Sequence, residues 1–266
     1  MIRSYFGLAK TPFDMEKIEL LPHQEDVYEI LRVHSSQGGL CLVMGIPGTG
    51  KTELKRAIQE RCDKTTIVVT VSRTLHTYTN TLKIICDAFK TEYSGSSYIC
   101  ERRLIAEAHS LKRQGKTLIT VIDDAHLLEM ETLRKLRLLF EEFPRNHNVI
   151  LIGQPLLLSN LSLSINDDIK SRVTYSTIMK PIPSDSMKEY IYKQLDKAQL
   201  GHNTFTEEAI ELIVRSSEGI LRKTRNLCAG ALLQAVRSQT KKIDIKIVNK
   251  VLIQPHWRQE KDIRLN

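Results

Sequence analysis

The chain has 266 residues, of which 39 are Lys or Arg and 31 Asp or Glu, giving a formal net charge of +8, and 41% of its residues are apolar. That length exceeds the roughly 100 to 200 residues of one domain, and that composition excludes a disordered or fibrous chain. Its longest apolar runs, such as Gly39 to Gly45 and Leu118 to Ile122, fall far short of the about 20 residues that cross a bilayer. The opening MIRSYFGLAK has no signal-peptide stretch, so a cytoplasmic location with no membrane insertion is expected. Cys41, Cys62, Cys86, Cys100 and Cys228 form no C-x-x-C pair and read as free thiols in a reducing compartment. Residues 177–266 hold 16 basic and 10 acidic residues, net +6, against +2 for the rest. A basic C-terminal third points to a polyanionic partner, nucleic acid ahead of acidic lipid.

In chain order, an irregular opening with Pro12 and Pro22 leads to a helix over Gln24 to His34, carried by Val27, Ile30, Leu31 and Val33. The apolar run Leu40 to Met44 then reads as a buried strand that stops at glycine, and Glu53 to Cys62 as a helix. Three more β-rich runs follow, Thr65 to Ser72, Thr117 to Asp124 and Asn148 to Gly153, with Val173 to Met179 as a fifth. Between them Thr79 to Phe89, Arg102 to Leu111 and Glu131 to Phe140 have helical spacing. Strands alternating with helices imply an α/β fold, a parallel sheet with helices on both faces. Beyond Pro181 and Pro183 only helices are expected, at Ser186 to Leu200, Thr206 to Ser216, Arg222 to Gln239 and Asp244 to Leu252. Thr206, followed by Glu207 and Glu208, suits a helix start. The division is therefore an α/β domain over 1–182, a small all-α lid over 183–254 and a polar tail over 255–266 that carries Trp257.

Gly45, Ile46, Pro47, Gly48, Thr49, Gly50, Lys51 and Thr52 match G-x-x-x-x-G-K-[ST] at every fixed position, between a predicted strand and a predicted helix. Glycines let backbone N–H groups turn inward around phosphates, and the positive helix N-terminus adds to the attraction. This pattern predicts a P-loop that binds ATP, with Lys51 at the β and γ phosphates, Thr52 on Mg²⁺ and Glu53 beside them in the first helical turn. The run Leu118 to Asp124 ends in two carboxylates, and such a strand is expected next to the first, where Asp123 would orient Mg²⁺ through its water shell. Asp124 is then placed to orient or deprotonate the attacking water. Gln154, at the end of the 148–153 strand, reads as a residue that senses the γ phosphate or positions water, or as a plain turn residue. Arg172 and Arg222 read as cations that stabilise transition-state charge or as solvated arginines. His126 has no second ligand at metal-binding spacing.

Together with Phe6-Gly-Leu8, Pro12-Phe13, IDDAHLL over 122–128, LIGQPLL over 151–157 and Gly219-Ile-Leu-Arg222, these motifs resemble the AAA+ ATPases of the ExeA/GspA-like group. That group also contains transposition helper ATPases related in role to the IstB, TniB and MuB proteins. The resemblance runs from Tyr5 to about Val251 and implies a RecA-like P-loop sheet, a helical lid, ATP-dependent homo-oligomers and work done on a partner. It also implies that Arg172 is the arginine finger, acting in trans, and Arg222 the second sensor. Asp124 stands where the group usually has Glu, one methylene longer, which implies slow turnover, and Leu221 replaces a common proline. The expected function is a transposition helper, an ATPase that binds DNA non-specifically in its ATP state and recruits or activates a transposase. A secretion-assembly ATPase of the ExeA type and a slow-hydrolysing nucleotide switch are the alternatives.

Overall fold

A computed structural model describes residues 1–13, 19–72, 77–254 and 257. They fall into two compact units, one drawn from residues 18–179 and the other from 1–17 with 180–266. The chain opens with α1 (Ile2–Phe6), a helix where the sequence reads as irregular, and α1 lies against a helix of the C-terminal unit. The opening thus groups with the helical unit, whereas the sequence division places it with the sheet.

The sheet unit runs α2 (Pro22–Gln37), β1 (Gly39–Gly45), α3 (Lys51–Glu60), β2 (Thr66–Val71), α4 (Tyr78–Ala88), α5 (Ser97–Arg113), β3 (Thr117–Ile122), α6 (Met130–Glu141) and β4 (Asn148–Gly153). Two short helices, α7 (Leu156–Leu161) and α8 (Asp167–Lys170), precede β5 (Val173–Met179). Neither is legible in the sequence, because so few residues show no helical period. All neighbouring strands are parallel, in the order β2-β3-β4-β1-β5.

Successive side chains of each strand point to opposite faces, and here both faces are apolar. Leu42, Met44, Val71, Ile122 and Leu151 pack with Leu82, Ile85, Leu104 and Leu136 of α4, α5 and α6. On the other face Cys41, Val43, Val121, Ile150 and Ile152 pack with Tyr28 and Leu31 of α2 and Leu54 and Ala57 of α3. One expectation is overturned: β3 is not next to β1, because β4 lies between them. The NVILIG run is buried at all six positions and pairs on both sides, the place that an apolar run with no polar face fills best.

The second unit holds α9 (Ser184–Lys197), α10 (Glu207–Ser217), α11 (Leu221–Arg237) and α12 (Ile245–Leu252). Thr206 caps α10 by accepting from the Ala209 N–H at 3.2 Å, and Asp244 caps α12 by accepting from Ile247 at 3.0 Å. Met187, Ile191, Ile213, Leu227, Leu232 and Val248 form its buried interior. Gly219, at φ 74°, joins α10 to α11, and a Cβ there would lie 2.6 Å from the Ile182 carbonyl oxygen, so a side chain is excluded twice over. The predicted tail lies, except for Trp257, outside the described residues. Among the described residues no helix is long and apolar enough to cross a membrane.

His147 leads into β4, buried against Phe140 and Phe143 at ring distances of 5.0 and 4.8 Å, with Nε2 2.9 Å from the Thr120 hydroxyl. Burial disfavours the imidazolium and pushes its pKa from 6.5 down to about 3. The unfolded chain therefore binds this proton more readily than the native one, so the stability is complete above about pH 6.5 and declines as pH falls from there toward 3, by up to about 1.4 kcal/mol per unit. Urea denaturation between pH 7 and 4 should show that slope, and His147→Gln should flatten it.

Candidate nucleotide site

The loop leaves β1 at Gly45 and enters α3 at Lys51. Gly48 and Gly50 have φ of 89° and 98°, the left-handed conformation that β-carbons resist, and Gly50 is the N-cap of α3. Between them Thr49 is fully buried and folds back, its hydroxyl donating to the Ile46 carbonyl at 2.9 Å. Lys51 lies over the same loop and donates to the carbonyls of Gly45 at 2.6 Å and Ile46 at 3.0 Å. Thr52 and Glu53 follow in the first turn of α3, and Thr52 is exposed. A ten-residue helix with its N-terminus, two left-handed glycines and an ammonium at one point form a donor set that fits a polyphosphate.

Gln24, absent from the residues that the sequence motifs single out, holds this loop from α2. Its fully buried side chain donates to the Thr49 carbonyl at 3.2 Å and accepts from the Leu21 N–H at 2.9 Å. The sequence signal, a Gln two residues after a Pro at a helix start, predicts the cap but not the contact 25 residues away.

Asp123 and Asp124 form the turn after β3. Asp123 donates its backbone N–H to Val71 at 3.0 Å. Its carboxylate accepts from the Asp124 N–H at 2.9 Å through Oδ1 and from Lys55 Nζ at 2.5 Å through Oδ2. Asp124 sits at φ 50° and is exposed; Asp tolerates the left-handed region better than most residues. Lys55 is a second residue outside the motifs, although its place one turn beyond Lys51 puts both on one face of α3. The Asp123 carboxylate already holds one cation, and oxygens of the kind that Asp123 and Thr52 carry, a carboxylate and a hydroxyl, are the chemistry that a hard metal ion prefers.

Gln154 directly follows β4, whose Gly153 is level with Met44, so it stands at the same carboxyl edge of the sheet as Gly45. Arg172 does not. It precedes β5, whose Val173 is level with Leu40, so it lies at the amino edge, roughly 20 Å along β1 from its own loop. There its side chain is 62% exposed and pairs with Glu141 at 3.3 Å, which Arg137 also holds at 2.7 Å. A cavity of about 480 Å³ opens at this edge among Leu136, Phe140, Phe143 and His147; Arg172 is the one candidate residue that lines it. Arg222 belongs to the other unit, exposed in the first turn of α11 beside Lys223, which pairs with Glu218 at 2.5 Å.

Residues 33–161 match the family model of an AAA domain, the segment that holds the loop, the acidic turn and Gln154. The chain has a P-loop NTPase fold. It is similar to general secretion pathway protein A of Aeromonas hydrophila, 26% identical over 253 residues, which are 91% of this chain and 46% of that protein. The chain thus spans about half the length of that relative. Among solved structures it resembles the Aeropyrum pernix ORC2 protein in its ADPNP–ADP complexes, with a TM-score of 0.70, 17% identity and coverage of 96% of this chain and 74% of that one. The Aeropyrum pernix ORC1 protein in complex with DNA has a TM-score of 0.68 at 17% identity, over 90% and 67% of the two chains. The relative from Aeromonas accords with the ExeA/GspA-like resemblance, and the ORC proteins share the fold.

Removing the Gln24 amide by Gln24→Ala leaves the Thr49 carbonyl and the Leu21 N–H without this partner. It should cost about 1 to 3 kcal/mol of stability in urea denaturation.

Proposed function

We propose that this chain is an AAA+ ATPase that binds ATP with Mg²⁺ in the Gly45–Thr52 loop, hydrolyses it, and uses the nucleotide to control binding to DNA. The observation that carries the nucleotide reading is the Lys51 ammonium held at the Gly45 and Ile46 carbonyls, at the mouth of the helix N-terminus. Phosphate oxygens are stronger acceptors than these carbonyls, so Lys51 would exchange them for the β and γ phosphates. Thr52 and Asp123 would hold Mg²⁺, which neutralises phosphate charge when bound. Asp124, beside Asp123 and exposed, orients the attacking water, and Gln154 senses the γ phosphate from the end of β4, between β1 and β3. Arg172, remote from its own loop, acts on the loop of a second copy in a homo-oligomer. Arg222, on α11, keeps the role of second sensor that the ExeA/GspA-like resemblance implies.

The basic C-terminal third supports DNA as the polyanion that the ATP state engages, and the ORC1 protein with the same fold is seen in complex with DNA. A transposition helper that recruits or activates a transposase is the role this fits. The similarity to general secretion pathway protein A favours a second reading, an assembly ATPase of that type.

Asp124→Asn should slow ATP hydrolysis about 100-fold or more while leaving ATP binding in place, as read by single-turnover hydrolysis and fluorescent-nucleotide titration. An unchanged rate would remove Asp124 from the site. Binding to random-sequence duplex DNA should require ATP, be lost with ADP, and weaken with a log–log salt slope of about −0.9 per phosphate neutralised. DNA binding in no nucleotide state would favour the secretion-type reading.

A further inference from the structure

Lys55 lies four residues beyond Lys51 on α3, outside the eight residues of the loop motif. The two lysines leave one helix face, yet they hold different things. Lys51 stays on the loop carbonyls, and Lys55 reaches the carboxylate at the end of β3, 68 residues further along the chain. The pair is well removed from water, with side chains 13% and 15% exposed. One Asp123 oxygen accepts a backbone N–H at 2.9 Å and the other accepts from the Lys55 ammonium at 2.5 Å. Asp123 is the acid assigned to Mg²⁺ in the proposed function, and the role of Lys55 rests on that assignment.

We propose that Lys55 is a resident cation on the metal carboxylate: it holds Asp123 in place in the nucleotide-free protein and competes with Mg²⁺ for it. An ammonium in direct contact cancels most of the field that would draw a divalent ion to a lone carboxylate. A desolvated carboxylate left unpaired would itself be costly, so the lysine stabilises the empty site. Nucleotide phosphates offer Lys55 a second set of acceptors, and only then is Asp123 released to the metal. The consequence is ordered loading: the free protein binds divalent metal weakly, and metal enters with the nucleotide. Lys55 acts through Asp123, so it is a positioning residue, distinct in role from Lys51.

The test is Mn²⁺ binding to the full chain, measured by the loss of the free-ion electron paramagnetic resonance signal without nucleotide. Lys55→Met keeps the apolar stem and removes the charge, and should bind Mn²⁺ about tenfold more tightly than the parent. Lys55→Arg keeps the charge and should stay at the parent affinity. Adding Asp123→Asn to Lys55→Met should erase the gain, which shows that it passes through that carboxylate. Circular dichroism checks that each variant is folded, and the arginine variant against the parent keeps a comparison if the methionine variant is not. Equal or weaker Mn²⁺ binding in folded Lys55→Met, or tighter binding in Lys55→Arg, would overturn the proposal. Binding of a fluorescent ATP analogue in EDTA, lost in Lys51→Ala, tests the nucleotide reading separately; its failure would leave the nucleotide-free Mn²⁺ comparison standing.

Discussion

Asp123, at the end of β3, stands two strands away from the Gly45–Thr52 loop at the end of β1. With β4 between β1 and β3, the ends of those strands are separated by roughly 10 Å, twice the spacing of neighbouring strands. No ladder of backbone hydrogen bonds joins them directly. What spans the gap is a lysine side chain rooted in α3, the helix that the loop itself begins, with its ammonium 2.5 Å from the carboxylate. The rest of the site is organised around that contact. Gln24 braces the loop from α2, the Asp124 N–H fixes the second carboxylate oxygen, and the apolar faces of the sheet hold α2 and α3 where these side chains can reach.

The candidate residues on this edge come from different parts of the chain and are kept in register by the parallel sheet. Each strand ends near the same level, so residues 45, 123 and 154 collect there although more than 100 positions separate the first from the last. The amino edge holds a different population. Arg172, Arg137 and Glu141 share ion pairs there, beside a cavity lined by aromatic rings and the neutral His147. The two edges are chemically distinct because a parallel sheet gives all its strands one direction.

Much of this is legible in the residues. The runs at Asn148 to Gly153 and Val173 to Met179 have the bounds of β4 and β5: β4 is apolar and buried throughout, and β5, half-buried on one face and exposed on the other up to Met179, is rich in β-branched residues. The order of the strands is not legible in the same way. Both β3 and β4 read as apolar on both faces, and nothing in such a run names its neighbour, so the expected pairing of β3 with β1 fails. Gln24 and Lys55 escape notice for a related reason. Each is an ordinary surface-type residue on an amphipathic helix until a partner 25 or 68 residues away takes up its polar end. The opening helix Ile2–Phe6 carries too little periodicity in five residues to be seen, and its grouping with the C-terminal helices is a long-range fact.

The position of Arg172 has a consequence for any assembly built from this chain. If the arginine of one copy serves the loop of the next, the contact joins an amino edge to a carboxyl edge, and the interface is head-to-tail rather than self-complementary. A chain of such contacts has direction. Unless it closes into a ring, one terminal copy always offers a loop with no arginine opposite it, and the other an arginine with no loop. Growth and disassembly at the two ends would then be chemically unequal, with hydrolysis starved at one end and supported everywhere behind it.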